Sequence, residues 1–146
     1  MSQTSAATSP FDTDPPSAES GPTPPLPRGS GAAELVFGET RGQTTVRHLY
    51  QEAPCRILFP KTYRGELITA VLLTTSGSLT GGDQIRIQLS SQAHVQGMIT
   101  SQAAEKIYRS SGAPCVIDTE VEAEPGSWLE WMPQETILFD RSRFVP

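Results

Sequence analysis

An all-β domain of short strands with little helix is predicted for the chain from Glu34 onward, and three observations predict it. β-Branched residues are abundant; Gly, Pro and Ser cut the chain into short segments; and nothing sustains the apolar period of a long amphipathic helix. The strands are expected to pair mostly antiparallel. Residues 1–31 stand apart, being rich in Ser, Thr, Pro and Gly with only Phe11 and Leu26 as sizeable apolar groups after Met1. Such a segment cannot bury enough surface to offset a backbone entropy cost of roughly 1–2 kcal/mol per residue. It is read as a disordered tail, leaving 32–146 as the folded unit.

Taken in order, the strands are expected at Glu34–Glu39, Thr44–Tyr50, Arg56–Phe59, Leu67–Thr74, Gln84–Ser90, Val95–Thr100, Cys115–Ala123, Trp128–Trp131 and Thr136–Phe139. The clearest signal is Ile85-Arg86-Ile87-Gln88-Leu89-Ser90. Its period of two puts the three apolar residues on a buried face and the polar ones toward solvent. The nearly continuous apolar run Leu67–Leu73 suits a strand covered on both faces. In Trp128–Trp131, alternation puts Trp128 and Glu130 on one face, Leu129 and Trp131 on the other. Ser101–Arg109 is ambiguous, since Ala, Glu and Lys favour a helix while its length and flanks favour extended chain; extended chain is preferred.

Composition narrows the function. With 16 acidic and 11 basic residues the net charge is −5, and no Lys/Arg stripe offers itself to a phosphate backbone, so nucleic acid is not an expected partner. The N-terminus lacks the basic start and apolar stretch of a secretory signal, and no apolar run approaches the ~20 residues of a membrane span. A cytoplasmic protein without membrane contact is expected. Cys55 and Cys115 stand sixty positions apart with no CxxC and are read as buried free thiols.

The segment Ser76-Gly77-Ser78-Leu79-Thr80-Gly81-Gly82-Asp83 invites chemical readings that fail. Gly77 and Gly82 have Walker spacing, but Asp83 stands where Lys is required and would repel phosphate. A dinucleotide fingerprint lacks its middle glycine, and an alternating strand follows where a helix is needed. A turn is the simpler account: Gly81 and Gly82 tolerate positive φ, and Asp83 bonds nearby backbone. His48, His94, Cys55 and Cys115 show no short ligand spacing, so no tight metal site is expected. No G-x-S-x-G elbow selects a nucleophilic serine; neither a catalytic residue nor a cofactor is expected.

Three segments nevertheless occur in a telling order. They are Ser76–Asp83, then Thr100-Ser101-Gln102-Ala103-Ala104-Glu105-Lys106-Ile107-Tyr108-Arg109-Ser110, then Trp128-Leu129-Glu130-Trp131-Met132-Pro133-Gln134-Glu135-Thr136-Ile137-Leu138-Phe139-Asp140. With Leu49–Pro60 upstream, this order resembles the urease accessory protein UreD (UreH) family over roughly residues 34–146. The resemblance implies a helically stacked arrangement of β-sheets. It also implies a non-enzymatic chaperone that works with UreF and the GTPase UreG on apo-urease (UreABC), and nickel carried in transit rather than held. A wall of strands with scattered carboxylates can pass a divalent ion that a thiolate or imidazole cage would trap. Asp83, Glu130, Glu135 and Asp140 are the candidate polar-channel or interface residues, with Lys106, Tyr108 and Arg109 as candidate interface support. The alternative is a β-rich interaction module with no part in nickel transfer. Two departures accompany the resemblance. Ser78 occupies a position where the family has glycine, which would strain a positive φ. Family members also continue past Pro146, so 32–146 is expected to be the N-terminal part of a UreD-like domain.

Overall fold

Alternation of apolar and polar residues gives each strand one face to bury, and the chain buries these faces by winding around a common interior. The computed structural model describes residues 28–63 and 65–146. Its strands are β1 (Ser30–Thr40), β2 (Gln43–Glu52), β3 (Cys55–Leu58), β4 (Ile68–Thr74), β5 (Gln84–Ser91), β6 (Gln96–Ser101), β7 (Glu105–Ile107), β8 (Cys115–Ala123), β9 (Trp128–Met132), β10 (Thr136–Leu138) and β11 (Phe144–Val145). They form sheet A, in the order β11-β8-β5-β1-β2; sheet B, β3-β4-β6-β9; and sheet C, β10-β7.

From β4 the chain visits the sheets cyclically. β4 lies in B, Leu79 bridges to Ile107 beside C, β5 lies in A, β6 in B, β7 in C, and β8, β9, β10 and β11 repeat the circuit. Each circuit stacks on the last. Gln88 of β5 and Glu120 of β8 are register partners 32 positions apart, and Gln88 Nε2 donates to Glu120 Oε2 at 2.9 Å. The result is a three-faced coil, in keeping with the helically stacked sheets that the resemblance implies.

The expected antiparallel pairing is corrected. Only β1–β2 and β3–β4 are antiparallel; β1–β5, β4–β6, β5–β8, β6–β9, β7–β10 and β8–β11 are all parallel. Alternation reports which face is buried and is blind to strand direction. The short turn after Ser91 reads as a hairpin, yet it delivers the chain to another sheet. The predicted tail boundary also shifts, because Ser30 and Gly31 already belong to β1, in register with Gln84 and Ile85; the remainder of the predicted tail, 1–27, lies outside the described residues. β4 sits inside its sheet but buries only Ala70 and Leu72 fully, leaving Val71 and Leu73 half-buried on the outer face, so it is not covered on both sides.

Ala33, Leu35 and Phe37 of β1 meet Ile85, Ile87 and Leu89 of β5, with Ile57, Leu72, Ile99 and Ile107 closing the core from the other sheets. Burying each large side chain contributes about 1.5–3 kcal/mol. Gly97 is required by this packing, since a Cβ there would stand 2.7 Å from the Phe37 ring.

Candidate functional site

A cavity of about 640 Å³ opens into the interior where the later circuits are stacked. Cys55, Thr74, Ile87, Trp131 and Phe144 contribute to its wall, and Glu105 adds a carboxylate. Glu105 is held on two sides: its Oε2 accepts from Thr74 Oγ1 at 2.8 Å, and its backbone N–H donates to the Glu135 carbonyl at 3.1 Å. The inward aim follows from the strand period, because Ile107, two residues on, is fully buried.

Cys55 is in register with Thr74, and burial pushes its thiol up to about 11, with the Glu105 charge adding to the effect and Arg56 opposing it. Cys115 is likewise raised to about 11 by burial, then by Asp83 and Glu105. Both are free and buried, as expected from the sequence. At neutral pH they stay protonated and so are poor nucleophiles and poor ligands. Among the described residues no three His, Cys, Asp or Glu side chains converge on a metal position. The cavity lining therefore includes two carboxylate residues, Glu105 and the exposed Asp118, and the basic Lys106 among hydroxyl, amide and apolar residues.

Asp83 does not reach this cavity. It is 6% exposed and its oxygens accept from the backbone N–H groups of Gly29 at 2.7 Å and Thr80 at 2.8 Å. The glycine-rich segment is thus a turn closed by Asp83, with Gly77 and Gly82 at positive φ. Ser78 is not at positive φ, so the expected strain is absent. Glu130 lies on the outer face of β9 beside Trp128, whose Nε1 donates to it at 2.9 Å, while Leu129 and Trp131 pack against the core, as alternation predicts. Glu135 is exposed where the chain passes from sheet B to sheet C, and Asp140 is exposed with its Oδ2 3.6 Å from Arg141 Nε. None of these four acidic residues lines the cavity.

Tyr108 and Arg109 lie on the outside beside sheet C, while Lys106 also borders the cavity. Lys106 and Arg109 are exposed, and Tyr108 stacks on Phe139 with centroids 4.5 Å apart and planes 18° apart. A second apolar surface lies on the outside of sheet B, where Leu58, Trp128 and Met132 are each more than half exposed. A three-residue strand is too short to show a period, so alternation alone does not single out Glu105. The signal was its spacing from Ile107.

These features define a β-walled scaffold with an open interior and exposed apolar faces. A family model described as UreD urease accessory protein matches residues 29–145, and the chain belongs to that family. It is 41% identical over 139 residues to a urease accessory protein UreD of Magnetococcus marinus, which covers 95% of this chain and 45% of that protein. Similar proteins of Chelativorans sp. (40% over 119 residues; 82% and 43% covered) and Brucella suis (42% over 118; 81% and 42%) carry the same name. The chain spans less than half the length of these relatives. Among the described residues no helix is long and apolar enough to cross a membrane.

Proposed function

We propose that this chain is a non-enzymatic scaffold in urease maturation, acting with UreF and UreG on apo-urease in the cytoplasm, and that its interior forms part of a route for nickel. The observation that carries this reading is Glu105, the carboxylate that Thr74 steadies on the wall of an open cavity. Few carboxylates, Glu105 and Asp118, among hydroxyl and amide oxygens and beside Lys106 attract a hydrated divalent ion without stripping its water, and protonated thiols do not trap it. Glu130, Glu135, Asp140, Tyr108 and Arg109, on the outside, and Lys106, exposed at the border of the cavity, are assigned to partner contact. Asp83 is assigned to the fold.

The test is Glu105→Gln in the chain co-produced with UreF, UreG and apo-urease. An intact complex that yields urease with reduced nickel content and activity is expected. Unchanged nickel content in an intact complex would leave only the interaction module. Failure to co-purify with UreF at low salt would remove the scaffold assignment.

A further inference from the structure

The turns that join sheet C to sheet A stack on one another and carry an uneven charge. Leu79–Asp83, Arg109–Pro114 and Asp140–Arg143 are tied directly: Thr80 Oγ1 donates to the Arg109 carbonyl at 3.0 Å, Ser110 N–H to the Arg141 carbonyl at 3.1 Å, and Gly82 N–H to the Pro114 carbonyl at 3.0 Å. Arg109, Arg141 and Arg143 are exposed along this corner, and Arg28, which donates to the Gly81 carbonyl, joins them. The two carboxylates on these turns are Asp83, sealed by backbone N–H groups, and Asp140. Four guanidinium groups thus face a single exposed carboxylate in a chain of net charge −5. Beside them lies the half-exposed Tyr108–Phe139 stack with Lys106 and Ile137. Aromatic rings rimmed by arginines suit an acidic segment that carries an aromatic residue.

We propose that Phe11-Asp12-Thr13-Asp14-Pro15-Pro16-Ser17-Ala18-Glu19 of this same chain docks there, Phe11 on the Tyr108–Phe139 pair and its carboxylates toward the arginine corner. Residues 1–27 contain Asp12, Asp14 and Glu19 and no Lys or Arg, so their charge complements the corner. The segment joins the fold at Arg28, on the corner itself. Arg28 lies nine positions after Glu19, a reach of up to about 28 Å at the rise of Pro-rich chain, whereas turns two circuits apart are only about 10 Å apart. Tethering at this range gives a millimolar effective concentration, so a contact with a dissociation constant of about 1 mM is half occupied. A partner taking the same face must displace the segment. The inference rests on geometry and charge alone and does not depend on the nickel reading.

A nitroxide on Thr8→Cys of the full chain, made selective by the burial of Cys55 and Cys115, reads the contact by NMR. At low salt the amides of Tyr108, Arg109, Phe139 and Arg141 should broaden at least threefold more than those on the outside of sheet B. The excess should vanish in Asp12→Lys/Asp14→Lys/Glu19→Lys, and at 1 M salt, where the Debye length falls to about 3 Å. Equal broadening with native and reversed tails would overturn the proposal. So would broadening that arises only between labelled and unlabelled chains in a mixture, which would assign the face to a second copy.

Discussion

Thr74 Oγ1 donates a 2.8 Å hydrogen bond to Glu105 Oε2, joining the end of β4 in sheet B to β7 in sheet C across the mouth of the interior. A hydrogen bond to a carboxylate contributes about 1.5–3 kcal/mol. Thr74→Val keeps the shape and removes the donor, so denaturant unfolding should show a loss of about 1–3 kcal/mol. Glu105→Gln, which retains an acceptor at the same place, should lose less.

Gly97 faces the Phe37 ring too closely for any side chain. Gly97→Ala should cost about 1–3 kcal/mol by overpacking. Combined with Phe37→Leu, the loss should fall well below the sum of the two single losses, because the smaller side chain makes room for the methyl group. Additive losses in a double-mutant cycle would mean that the two positions do not compete for space.

Asp83 closes the Thr80–Asp83 turn and holds Gly29 at the start of β1. Asp83→Ala abandons two backbone donors and should destabilise by about 2–4 kcal/mol, with Asp83→Asn in between because one acceptor survives. Hydrogen exchange should show the loss first at β1 and β5. Wild-type protection there in Asp83→Ala would refute the anchoring role.

Cys55 and Cys115 ionise near 9.0 in open solvent and near 11 in the fold. The folded state therefore holds these protons more tightly than the unfolded chain. Their contribution is fully present below pH 9 and is lost as pH rises toward about 11, with a slope of up to about 1.4 kcal/mol per pH unit for each thiol. A Cys55→Ala/Cys115→Ala variant should show a shallower decline in urea midpoint over that interval. Thiol alkylation of the native chain at pH 8 should be slow and speed up in urea.

Alternation made much of the coil legible: Ile85, Ile87 and Leu89 are buried as a set, and the expected strand Cys115–Ala123 is β8 itself. Strand direction was not legible. A side-chain period of two records which face is covered but not which neighbour covers it, and the partners lie about thirty residues away (Gln88 and Glu120 are 32 apart). The acidic residues conspicuous beside glycine or tryptophan, Asp83 and Glu130, are occupied by a turn and an indole. Glu105 reaches the cavity from a strand of three residues, where local pattern carries too little information to place it.

The pairing of β1 with β5, Ser30 against Gln84, has a consequence for biosynthesis. The Gly29–Asp83 bond that starts this pairing spans 54 positions, so β1 has only β2 and β3 for company until β5 leaves the ribosome. At about 5–20 residues per second that wait lasts roughly 3–11 s. Through it, one edge of β1 stays open and the Leu35–Leu89 register pair cannot form.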